Sequence, residues 1–155
     1  MDDKQFLETW EIHNRINLYL LEGTEAKALA SVSASKGRSV GEQFAHIHNV
    51  RLMWLKPAAP DLLKGLNKIE KEQALDRKLL QKSLTDSGKA ITALLNRSLE
   101  NSGKVKSFKP HVGAFLGYLI SHESHHRGQI MLSLKQSGHR IDRKVQYGIW
   151  EWGVR

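Results

Sequence analysis

The chain contains no cysteine, which excludes thiolate metal sites, cysteine nucleophiles, disulfides and redox switching by its own thiols. Any transition metal it binds must therefore rest on histidine, aspartate or glutamate. No apolar run approaches the roughly 18 residues of a transmembrane helix, so no membrane partner is expected. The acidic start Met1-Asp2-Asp3 lacks the basic and apolar regions of a secretory signal, and a cytoplasmic location is expected. Proline is scarce, with 3 among 155 residues, and long stretches are free of helix breakers. The length fits a single domain, residues 1–155, that can bury enough surface to fold without a disulfide or metal staple. A metal in such a chain serves function.

Negative charge is also in short supply, since 24 Lys and Arg against 16 Asp and Glu leave a net charge of +8. Between Gly103 and Arg155 nine basic residues face three acids, which places +6 of the +8 there. No five of these are contiguous, and no zinc-finger, RNP or basic-zipper pattern accompanies them. A solvated basic surface accounts for the excess better than a nucleic-acid partner does.

Apolar residues recur at helical spacing in four stretches and strand alternation is missing, so the class is all-α. The first predicted helix covers Asp3 to Glu22, with Phe6, Trp10, His13, Ile16 and Leu20 on one side and Gly23 at its end. His13 falls within that stripe and reads as a core or boundary histidine. The second helix starts at the capping box Ser39-Val40-Gly41-Glu42, where serine and glutamate satisfy two free amides. It is expected to stop near Leu55, ahead of Lys56-Pro57, because proline disfavours helix in the residue before it and donates no hydrogen bond. The third spans Glu72 to Leu99, with Leu75 on its apolar side. After a mobile basic loop, Lys104 to Lys109, Pro110 is placed in the first turn of the fourth, which runs to Ser137 before Gly138. Trp150 and Trp152 are expected to pack the tail across the helices, since exposed indoles leave a large apolar area in water. Four helices joined this way predict a four-helix bundle with a short tryptophan-containing C-terminal tail.

Chemistry is concentrated in His122-Glu123-Ser124-His125-His126-Arg127-Gly128-Gln129. Two imidazoles four residues apart share one helix face and can share one metal ion, and His122 and His126 have that spacing. On a helical wheel His126 lies about 40° from the centre of the apolar stripe, His122 about 80° and His125 about 140°. The first two face inward and His125 does not. A pair of hydrogen-bonded boundary histidines is the plainer alternative. Zinc, nickel, iron and manganese all accept imidazole.

The octet also fits H-E-x-x-H, in which Glu123 would be the general base of a hydrolase. That reading lacks the downstream continuation, because Gln129 and Leu132 stand where glycine and histidine are needed. A third ligand must then come from another helix, and Ala45-His46-Ile47-His48 supplies two candidates on opposite sides. His46 is flanked at helical spacing by Gln43, Val50 and Met53, His48 by Phe44, Leu52 and Leu55. Periodicity does not separate them.

Three segments carry a resemblance: Ser39-Val40-Gly41-Glu42-Gln43-Phe44-Ala45-His46-Ile47, His122 through Ile130, and Ile149-Trp150-Glu151-Trp152. Together they resemble the DinB-like metal-binding four-helix bundles. The resemblance implies that His46 joins His122 and His126 in a three-histidine site, with His48 and His125 as surface or second-layer residues. It further implies a homodimer, a long crossover between helices 2 and 3, and a divalent metal at one mouth of the bundle. Relatives of that kind include thiol transferases and isomerases that use bacillithiol or mycothiol, while many members have no assigned reaction. Three imidazoles leave a metal at least one open position, where a low-molecular-weight thiol could bind as thiolate. Metal-dependent thiol chemistry is therefore the first expectation, a non-catalytic metal-binding bundle the second and a nucleic-acid partner the third. Glu123 is the candidate carboxylate behind a metal-bound imidazole. Arg127 and Gln129 suit interhelix hydrogen bonds or contact with an anionic substrate. Trp54, Trp150 and Trp152 read as core aromatics.

Overall fold

The computed structural model describes residues 2–155. Four long helices, α1 (Asp3–Glu22), α2 (Val40–Ala58), α3 (Arg77–Glu100) and α4 (Val112–Gln136), are followed by a short α5 (Arg143–Gly148). Four 3-10 turns lie at Ala26–Ala30, Pro60–Leu63, Lys71–Gln73 and Trp152–Val154. Among the described residues there is no strand, only a single bridge between Val105 and Phe108. None of the helices is long and apolar enough to cross a membrane. The all-α expectation is met.

Local chemistry fixes the ends of these elements. Asp2 caps α1 by accepting from the Gln5 amide, and Ser39 with Glu42 forms the expected capping box on α2. That helix runs past Pro57 to Ala58, three residues beyond the expected stop. Pro57 forfeits one bond in the final turn, but the Ala59 amide still reaches the Leu55 carbonyl at 2.8 Å. Pro60 then disfavours helix at Ala59, whose φ of −156° has left the helical region. It is the later proline that ends α2.

The third helix starts later than its apolar pattern indicates. Asp76 accepts from the Leu79 amide at 3.0 Å and caps α3, while Lys71–Gln73 closes a separate 3-10 turn. Leu75 falls between the two and is 57% exposed, so it is not on the helix's apolar side. Pro110 likewise lies outside α4, whose cap is the His111 side chain accepting from the Ala114 amide. The basic loop before it is pinned by buried Val105 and by Phe108 against Trp54.

Two apolar clusters fill the interior. Ile16, Leu20, Phe44, Ile47, Leu80, Leu84, Ile130 and Leu134 belong to one; Phe6, Trp10, Leu55, Ile91, Leu95, Phe115 and Leu119 belong to the other. Along every long helix, buried polar residues separate the two sets: His13 on α1, Arg51 on α2, Ser87 on α3, Glu123 on α4. Gly88 permits the close approach of α1 there, since a Cβ would stand 2.2 Å from Asn14 Nδ2. The Trp10 indole donates to the Gly88 carbonyl at 3.0 Å. In the tail, Trp152 packs on the first cluster as expected, but Trp150 is 75% exposed. Only one of the two indoles finds a groove.

Candidate metal centre

His46 of α2 and His122 and His126 of α4 converge, with one ligand nitrogen from each lying within 4.8 Å of the others. Four-residue spacing puts the α4 pair on one face, and His46 meets them across the α2–α4 contact. Ring centroids are 4.6 Å apart for His46 and His126, 4.6 Å for His122 and His126, and 5.4 Å for His46 and His122. Tyr118, one turn before His122, stacks on its ring at 6.0 Å.

Proton positions follow from the hydrogen bonds. His126 Nδ1 lies 2.6 Å from Gln43 Oε1, an amide oxygen that can only accept. The ring proton is therefore on Nδ1, and the bare lone pair of His126 Nε2 faces His122 Nε2 at 3.2 Å. Burial lowers the pKa of all three rings. His126 is pushed down to about 3 by burial and by the neighbouring His122 and His46. His46 falls to about 4 through burial and the nearby Arg38 and His122; His122 is lowered by burial, against the pull of Glu123. Near neutral pH three uncharged imidazoles thus meet with at least one lone pair turned inward. This donor set suits a divalent transition metal, and the cluster could hold one.

The sequence model of the DinB family matches residues 1–143. The chain belongs to the DinB family. No curated protein and no solved structure matches it.

Within this DinB chain the residue behind the triad is Gln43, not the expected Glu123. Gln43 is three residues before His46 and thus shares its side of α2. A polar residue at that offset, buried to 6% exposure, is the signal that sequence reasoning passed over. Glu123 turns the other way, because one residue along a helix rotates the side chain by about 100°. Its carboxylate is buried and accepts from Arg51 Nε at 2.7 Å, Arg51 Nη2 at 2.8 Å, Asn17 Nδ2 at 2.7 Å and His13 Nε2 at 2.8 Å. Burial alone would raise this carboxyl; Arg51 first, then His13, hold it well below the usual carboxylate range. A carboxylate clamped by arginine is not free to act as a general base, which removes the hydrolase reading of H-E-x-x-H.

Arg127 completes that buried layer rather than facing the triad. It donates from Nη1 to Asn17 Oδ1 at 2.6 Å and to His13 Nδ1 at 3.3 Å, and from Nη2 to Ser124 Oγ at 2.8 Å. Burial lowers its pKa to about 10. His13 is the core histidine expected: Nε2–H donates to Glu123 while Nδ1 accepts from Arg127, so the ring is neutral. Burial is the first cause of its lowered pKa.

Gln129 is half-buried and contacts neither cluster by hydrogen bond. His125 is exposed on the outer side, its ring centroid 5.1 Å from that of His126 and nearly perpendicular to it. His48 departs from the surface expectation. It is 1% exposed and lies between the Asn67 carbonyl at 2.8 Å and the Ser83 carbonyl at 3.1 Å, because two residues of helix turn it away from His46 and toward α3. Trp54 is half-buried among Phe108, Phe115 and Tyr118, a packed aromatic as expected.

Proposed function

We propose that the chain is a divalent-metal protein in which His46, His122 and His126 hold one ion and leave at least one coordination position open. The convergence of three uncharged imidazoles, one of them oriented by Gln43, carries this reading. A metal held there would supply a Lewis-acidic position that favours the thiolate form of a small thiol at neutral pH. Metal-dependent chemistry on a low-molecular-weight thiol is the finer part of the proposal. Since the chain has no cysteine, the thiol belongs to a substrate or cofactor.

The proposal extends to architecture. Cluster membership runs in one order along α1 and α4 and in the opposite order along α2 and α3, which supports a four-helix bundle with a long crossover through residues 59–76. Exposed Leu132, Tyr147, Trp150 and Val154 offer apolar area that a second copy would cover, which supports the homodimer part of the proposal. Elemental analysis of untagged protein tests the centre. Near-stoichiometric metal in wild type that falls to background in His46→Ala and in His126→Ala is expected. Wild-type protein without metal after reconstitution would remove the proposal, and metal retained in His46→Ala would remove that ligand from it.

A further inference from the structure

Beside His46 opens a cavity of about 290 Å³ whose lining includes Arg38, Glu42, Asn49, Lys68, Glu70 and Lys71. Three cations thus face two carboxylates around it, and the pairing is unequal. Lys68 is 3.2 Å from Glu70 and Lys71 is 3.9 Å from Glu42. Glu42 is further engaged with the Ser39 amide at 2.7 Å as part of the α2 capping box. Arg38, one residue before that cap, forms no ion pair or side-chain hydrogen bond among the described residues. Arg38 and His46 line the same cavity, so a molecule seated there meets both the guanidinium and one imidazole of the triad. Neutral imidazoles would not offset the two positive charges of a bound metal, and the cavity beside His46 carries one more cation than carboxylate.

Resting on the metal reading above, we propose that this cavity is an anion subsite in which the unpaired Arg38 guanidinium receives a carboxylate of the ligand whose donor atom occupies the triad's metal. Arginine presents a planar fork that matches a carboxylate in two hydrogen bonds. Lys68 and Lys71 add charge without that geometry. The ligand class is a small molecule carrying a metal-binding donor at one end and a carboxylate at the other. Coordination of a thiol donor releases its proton to water, and the carboxylate binds already ionised.

Cobalt(II)-loaded full-length protein, titrated with mercaptosuccinate and with its uncharged diamide, tests this through the visible cobalt and thiolate-to-cobalt bands. The wild type is expected to bind mercaptosuccinate about tenfold tighter or more than the diamide, the discrimination of one charge-assisted contact. R38Q should narrow the difference to about threefold or less while its cobalt content and diamide affinity stay at the wild-type level. R140Q removes a cation elsewhere and should keep the full preference, which separates a local contact from net charge. Equal affinity for the two thiols in cobalt-loaded wild type, or an unchanged preference in R38Q, overturns the subsite and leaves the metal centre standing. Wild type that takes up no cobalt overturns both.

Discussion

Two polar clusters share one helix and are built to opposite standards. His122 and His126 alternate along α4 with Glu123 and Arg127, each pair four residues apart. In the buried layer both carboxylate oxygens of Glu123 and both ring nitrogens of His13 have partners. At the triad, by contrast, His122 Nδ1 is buried without a partner, and two imidazole nitrogens point at each other. Completed hydrogen bonding marks a cluster that holds helices together; the triad, with a buried ring nitrogen left unpartnered beside two other imidazoles, keeps donor capacity that a metal ion could use.

Disrupting the complete cluster should have the largest effect. Arg51→Met leaves the Glu123 carboxylate buried without its two-pronged partner, which costs about 3–5 kcal/mol of folding free energy. Urea denaturation of the metal-free protein reads this, and a loss below about 1 kcal/mol would show that the layer contributes little. Metal bound per folded chain should stay constant, because Arg51 does not touch the triad.

Gln43→Ala addresses the incomplete cluster. Loss of a hydrogen bond that orients a ligand lowers metal affinity about 10- to 100-fold, measured by competition with a chromophoric chelator, while the metal-free protein loses about 1–3 kcal/mol of folding stability because the His126 Nδ1 proton is left buried without an acceptor. Equal affinity in wild type and variant would mean that the amide does not orient His126.

A smaller, graded effect should come from pH. Folding holds His13, His46, His48, His122 and His126 below their ordinary value near 6.5. The unfolded chain therefore takes up protons first as pH falls. Stability of the metal-free protein is full above about pH 6.5 and declines below it, continuing until His46 titrates at about 4 and His126 at about 3. Glu123, held low, adds a further loss below the usual carboxylate range. The urea midpoint should drop steadily from about pH 7 to about pH 5, and less steeply in His46→Ala. A flat profile would show that the rings are not held neutral. The smallest effect is expected at the tail, where Trp150→Ser, at a position 75% exposed, should change monomer stability by no more than about 0.5 kcal/mol.

What could be read from the sequence depended on whether the information was local. The start of α2 and the α4 histidine pair follow from neighbours three or four residues away, and both were legible. Choosing between His46 and His48 was not, because apolar residues flank each at helical spacing; only packing against α3 and α4 distinguishes them. Arg51 was the least visible, an arginine between Val50 and Leu52 whose partner is 72 residues away. Leu75 illustrates the reverse error: an apolar residue at helical spacing that the Asp76 cap excludes from the helix.

The alternation of the two clusters along α4 has a consequence for how such a chain can change over time. Since Glu123 and Arg127 keep their own partners on α1 and α2, replacing the imidazoles at 122 and 126 by other donors would alter the preference for a bound metal while leaving that layer intact. Inheritance of the scaffold and diversification of the chemistry are thereby assigned to interleaved positions of a single segment, and selection can act on one without undoing the other.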